Sequence, residues 1–213
     1  SDACNRVLTI ASVIGREFEL RVLERVVGAH GDAPVTGDRL LEALEEAAGA
    51  RVIVEVSRAA DRYSFTHALI WETLYEELST TRRVRLHRQI GEVLEGLYAA
   101  NPEPHLAALA YHFSEGAQGG DVDKAIDYTT RAGERATSLT AYEDAASHYE
   151  RALQALELKE PPDEEQRCEL LLALGEAQNK AGDRDRAKET FRQAADLSRK
   201  LGTADCLARA ALG

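Results

Sequence analysis

The residues best equipped to act on a substrate are six histidines, three cysteines and a large excess of carboxylates. His67 and His87 lie near Glu72, Glu76 and Glu77 in sequence, the residue types of general acid–base catalysis. Yet His67 falls where a helix is expected to begin, and His87 flanks an apolar stripe starting at Leu86, so both are read as structural. His105 and His112, seven residues apart, would share a helix face, but no further His or Cys stands at the spacing a metal requires. Cys4, Cys168 and Cys206 are odd in number, widely spaced and without a Cys-x-x-Cys pair. That pattern predicts neither a disulfide framework nor a zinc site, but small buried thiols in a reducing cytosol. The chain contains no Gly-x-x-x-x-Gly-Lys-Ser/Thr loop, Gly-x-Gly-x-x-Gly turn, His-Glu-x-x-His helix or Gly-x-Ser-x-Gly elbow. No catalytic residue, metal or cofactor is therefore assigned, and the reading is non-enzymatic.

One basic cluster stands out: Arg82, Arg83, Arg85 and Arg88. It makes nucleic-acid binding the natural rival hypothesis, but the net charge is −11, shared as −4 over residues 1–100 and −7 over 101–213. These arginines are expected to line a contact with another domain of a longer parent protein. With 44% hydrophobic and 30% charged residues and no apolar run of about 20, the chain is expected to fold without a membrane span and to be cytoplasmic. It opens on Ser1 with neither an initiator Met nor a leader, and is read as an excised fragment.

The elements that must position these groups are mostly helical. Val7, Leu8, Ile10, Ala11 and Ile14 set one helix over 2–14, with Gly15 as its stop. Leu20, Leu23, Val26 and Val27 set a second, ending in the Gly28–Pro34 loop. Thr36 is expected to cap a third, with Val35 stapled to Leu40 and with Leu40, Leu41, Leu44 and Ala47 buried, until Gly49. The period then changes: Val52–Val56 and Arg62–Thr66 read as two strands joined through Ala59, Ala60 and Asp61. Three helices and a two-stranded ribbon are the outline of a winged helix, whose third helix normally enters the major groove. Here that helix carries Asp38, Glu42, Glu45 and Glu46 against Arg39, which disfavours phosphate. Two more helices follow, with stripes at Ile70, Trp71, Leu74, Tyr75, Leu78 and at Leu86, Ile90, Val93, Leu94, Leu97. Asn101-Pro102-Glu103-Pro104 marks the boundary between units 1–100 and 101–213.

Beyond the boundary lies an internal repeat. Gly133, Ala145, Tyr149 and Ala152 recur as Gly175, Ala187, Phe191 and Ala194, all offset by 42 residues. Small residues at those places let two antiparallel helices approach closely, with Gly175 expected to face Ala187. Ala211-Leu212-Gly213 echoes Ala173-Leu174-Gly175, so a third copy is expected to be cut short.

This pattern resembles the tetratricopeptide repeat, with Leu171, Leu174, Gly175, Ala187, Phe191 and Ala194 on its signature positions. It differs at Thr129, Ala136, Gln178, Glu157 and Arg199, and in a longer loop around Pro161–Glu165. The strings Tyr63–Leu78 and Arg82–His87, with Ala11–Phe18, are similar to the segment following the nucleotide-binding core in STAND-class ATP-binding regulators. These include LuxR-type transcription regulators and ATPase-linked adenylate or guanylate cyclases. The resemblance implies a winged-helix-like unit followed by an α-α solenoid, with the ATPase upstream in cis. It implies a regulatory module in which the winged helix relays the ATPase state and the repeats bind a protein, peptide or small inducer. The competing expectations are a DNA-binding winged-helix transcription factor with oligomerising repeats, and a helical enzyme lacking any known motif. On the first helix of each repeat the expected partner groove is Asp127, Thr130, Glu134 and Thr137, then Glu169, Leu172, Glu176, Asn179 and Lys180.

Overall fold

The computed structural model describes residues 1–29, 37–57 and 61–212. The expected Thr36 cap, the Val35 contact, most of the Gly28–Pro34 loop, Ala59, Ala60 and Gly213 lie outside those residues. The chain is mainly helical with a small three-stranded sheet, and divides into two compact units, Ser1–Ala100 and Asn101–Gly213. No described helix is long and apolar enough to cross a membrane.

In the first unit, helix α1 (Asp2–Ile14) is capped by the Ser1 hydroxyl, which accepts from the Cys4 amide. It buries Val7, Leu8, Ile10, Ala11 and Val13 and packs against helices α2 (Leu20–Ala29), α3 (Gly37–Gly49), α4 (Ala68–Glu76) and α5 (Thr80–Leu97). Each large apolar side chain removed from water in this way stabilises the fold by about 1.5–3 kcal/mol before entropy is counted. Gly15 takes φ 151°, a value that favours glycine and turns the chain into strand β1 (Glu17–Glu19). Helix α3 buries Leu40, Ala43, Leu44 and Ala47, whereas Leu41, expected inside, is 43% exposed. Position 41 lies about 100° around the helix from 40, on the solvent side of the stripe.

Strands β2 (Ile53–Ser57) and β3 (Arg62–Phe65) form the expected antiparallel pair, and β1 adds an unexpected third strand on the other edge of β3. Three residues are too few to display an alternation, which is why β1 is invisible in the sequence. The register Phe18↔Tyr63 and Ile53↔Phe65 puts four apolar side chains on one face, where Phe18 stacks on Tyr63 at 5.8 Å between ring centroids. Trp71 on α4 donates its indole N–H to the Ser12 carbonyl at 2.7 Å, fastening α4 to α1.

In the second unit a short 3-10 turn (Glu103–His105) leads into α6 (Leu106–Gly116). There follow α7 (Val122–Ser138), α8 (Tyr142–Leu156), α9 (Glu164–Ala181), α10 (Arg184–Leu201) and α11 (Ala204–Leu212), each packed on its neighbour in sequence. The repeat of 42 residues extends to the backbone. The α7–α8 turn closes with Ala141 N–H to Ala136 O at 2.9 Å, and the α9–α10 turn with Asp183 N–H to Gln178 O at 2.9 Å, its exact counterpart in spacing. The residue that reverses the chain is Thr140 at φ 60° in one turn and Gly182 at φ 90° in the other.

Inside each hairpin the glycine meets the aromatic, not the alanine. A Cβ on Gly133 would stand 2.7 Å from the Tyr149 ring, and one on Gly175 2.7 Å from the Phe191 ring. The expected facing of Gly175 and Ala187 is thus corrected. The ring lies across the glycine because only a bare Cα leaves it room, and Ala187 contributes to the buried cluster containing Leu171, Leu172 and Ala194. That cluster also holds Cys168 and Cys206, which form a disulfide between α9 and α11, contrary to the expected pair of thiols. Sequence spacing did not foretell it because the two residues are 38 apart and meet through the turn of a whole hairpin. Cys4 is the free cysteine, buried, its thiol donating to Ala43 O at 3.3 Å and pushed up in pKa by burial.

Candidate functional site

The first helices of the two hairpins, α7 and α9, present the expected groove residues in part. Asp127, Glu134, Glu169, Glu176, Asn179 and Lys180 are exposed, and Thr130 and Thr137 are half-buried. Leu172 is 1% exposed and is no part of that surface. Helix α9 carries leucines at 170, 171, 172 and 174 and is enclosed by α8, α10 and α11, so a narrow polar strip is all it offers to solvent.

Local charges sort these residues further. Asp127 is paired with Arg131 at 3.2 Å, and Glu169 with Arg209 at 2.7 Å. Lys180 sits 5.7 Å over the Tyr142 ring, a cation–π contact joining α9 to α8. Thr137 returns its hydroxyl to the Gly133 carbonyl at 2.9 Å. Glu134 and Glu176 have no ion pair among the described residues. Burial pushes the Tyr149 phenol up in pKa, and the negative charges of Glu134 and Glu176 push it the same way. These two carboxylates, 42 residues apart in sequence, therefore both act on one phenol through their charge. The exposed carboxylates Glu134 and Glu176 thus occupy equivalent positions of the two copies.

The arginine cluster on α5 is divided. Arg82 and Arg85 are exposed, Arg83 lies 5.1 Å over the Tyr75 ring, and Arg88 pairs with Glu92 at 3.0 Å. On α3, Asp38, Arg39, Glu42, Glu45 and Glu46 are exposed, and Glu46 also binds the N-terminal amine and the Ser1 hydroxyl.

Among the histidines, His87 is 1% exposed and its Nε2 is 3.0 Å from the Tyr75 hydroxyl. Burial, with the nearby Arg83 charge, lowers its pKa to about 4, so it is a neutral packing residue and no proton shuttle at neutral pH. His112 is buried, His67 is exposed as the first residue before α4, and no described group of His, Cys, Asp and Glu is arranged to hold a metal.

A cluster absent from the sequence reading joins four elements of the first unit. Glu19 on β1 accepts from Arg21 Nε at 2.7 Å, from Arg62 Nη2 at 2.9 Å and from the Tyr98 hydroxyl at 3.0 Å. Burial alone would raise the Glu19 pKa, but those three donors hold the carboxyl below its ordinary value. Arg21 also lies 5.0 Å over the Tyr98 ring. The members are bonded to one another and act as a clasp between β1, α2, β3 and the end of α5. Its parts are up to 79 residues apart, and nothing in their spacing could have joined them. No family model matches the chain, and no curated protein matches it.

Proposed function

We propose that this chain is a non-enzymatic regulatory module that recognises a basic or polar protein segment on the acidic strip of α7 and α9. In the same reading the first unit is a winged-helix-like relay and the second a tetratricopeptide-like solenoid, of the kind that follows the ATPase core in STAND-class regulators. The observation that carries the recognition surface is the exposure of Glu134 and Glu176 at equivalent positions of the two hairpins. Two exposed carboxylates with no ion pair among the described residues, on helices packed by the same glycine-to-ring contact, make a surface whose spacing is fixed by the hairpins. Charge of this kind acts through association rate and partner choice more than through raw affinity. The order helix, strand, helix, helix, strand, strand in the first unit supports the relay reading. The acidic exposed face of α3 weighs against a role in reading DNA, because carboxylates there would face phosphates. Arg82 and Arg85 are the exposed basic residues offered for a contact with the ATPase domain in cis, and the module would work in the cytoplasm without a cofactor.

A peptide array graded in net charge tests the recognition. Binding should concentrate on basic and neutral-polar sequences and fall when Glu134→Lys and Glu176→Lys are introduced. Retention confined to acidic peptides, or signals indifferent to both changes, would contradict the assignment of the strip.

A further inference from the structure

We propose that Cys168 and Cys206 are a reversible redox site that latches helix α11 onto α9. Helix α11 has nine residues, too few to hold helical structure by itself. Among its described side chains, Cys206 and Ala210 are the buried ones, and both are small. The Arg209–Glu169 pair adds a contact at 2.7 Å, but its partners are 42% and 57% exposed and such pairs contribute little. Helix α11 also packs along α10, and the bridge is the covalent tie that holds it to α9. The α9–α10 hairpin does not depend on it in the same way, since Phe191 over Gly175, Ala187 and Ala194 pack within the hairpin itself.

The bridge is also reachable. A cleft of about 510 Å³ bordered by Gln166, Leu201 and Thr203 includes both cysteines in its wall, so a small thiol can approach sulfurs that are otherwise buried. Ser198 Oγ lies 3.2 Å from Cys168 Sγ, and because a bridged sulfur has no proton the hydroxyl is the donor. An incoming thiolate that attacks Cys206 would expel Cys168 as a thiolate already facing that hydroxyl. In the forward direction two protein thiols and one low-molecular-weight disulfide give the protein bridge and two small thiols. The electron pair passes to the incoming S–S bond and the two protons to the departing thiolates. Reduction by a dithiol reverses this, and the dithiol closes to its own cyclic disulfide. Release of α11 would uncover Leu172, which shares the buried cluster with Cys206 and Ala210 and stands one turn from Cys168. The latch stands independently of the partner reading.

The test is hydrogen exchange on the 213-residue chain after treatment with oxidised glutathione and, separately, with dithiothreitol. Peptide mapping of the oxidised sample should show Cys168 joined to Cys206. On reduction, amides of α11 should exchange at least about ten-fold faster while those of α9 and α10 keep their protection. Cys206→Ser should behave as the reduced chain under both conditions. The proposal is overturned if no Cys168–Cys206 peptide forms, if α11 exchanges equally in both states, or if reduction strips protection from α9 and α10 as well.

Discussion

His87 shows how one imidazole can set the acid limit of the first unit. Its folded pKa is about 4 because burial, aided by Arg83, disfavours the charged ring, whereas the unfolded chain takes up the proton near the ordinary value of 6.5. Between those values the unfolded state binds more protons, so stability is intact above pH 6.5 and is lost as the pH falls towards 4. From pH 7.5 to 5 the loss should be about 2 kcal/mol, read by urea unfolding. His87→Gln, which keeps a partner for Tyr75, should flatten that slope; an unchanged slope would mean His87 is not its source. A second residue, Thr140, holds φ 60°, a left-handed value strained for a β-branched side chain, where the other turn has Gly182. Thr140→Gly should therefore raise unfolding stability by about 1 kcal/mol, the relief of strain exceeding the added freedom of glycine in the unfolded chain. Gly182→Thr should lower it by a similar amount, and thermal melts of the pair decide the matter.

At the scale of elements, the hairpins rest on a glycine beneath a ring. Gly133→Leu and Gly175→Leu each force a side chain into space where even a Cβ would be 2.7 Å from the Tyr149 or Phe191 ring. Each should cost on the order of 1–3 kcal/mol in denaturant titrations, and equal stability would remove the basis for the repeat. The recurrence of the small and aromatic positions was legible, as were the apolar stripes of α1, α2 and α5, but the contact of each glycine with the ring of its own hairpin was not. Three further features were not legible, each for a physical reason. Leu41 and Ala43 exchange roles because a two-leucine run does not say which member faces inward. Strand β1 pairs through three residues whose partners lie 43 or more positions away. The polar pair of Gln178 and Thr190, bonded at 2.8 Å inside the second hairpin, stands at a departure from the tetratricopeptide pattern, which has an aromatic at 178, so a hydrogen bond replaces a packing contact.

For the whole molecule the deciding quantity is charge, −11 over 213 residues, with carboxylates exposed on α3, α7 and α9. Duplex DNA should not be bound in a sequence-dependent way at physiological salt, and a submicromolar shift in a mobility assay would reverse that expectation. The strip itself was half legible: the 42-residue repeat placed Glu134 and Glu176 on equivalent helices, but only packing removes Leu172 from the surface and engages Asp127 and Glu169 in ion pairs. What remains for a partner is the pair of exposed carboxylates Glu134 and Glu176. The most direct measurement is fluorescence anisotropy with a labelled basic peptide selected from the array, titrated at low and at high salt. Glu134→Lys and Glu176→Lys should each weaken binding by about 1 kcal/mol, roughly five-fold, and reduce its salt dependence. Affinity and salt dependence unchanged in both variants would contradict recognition on this face.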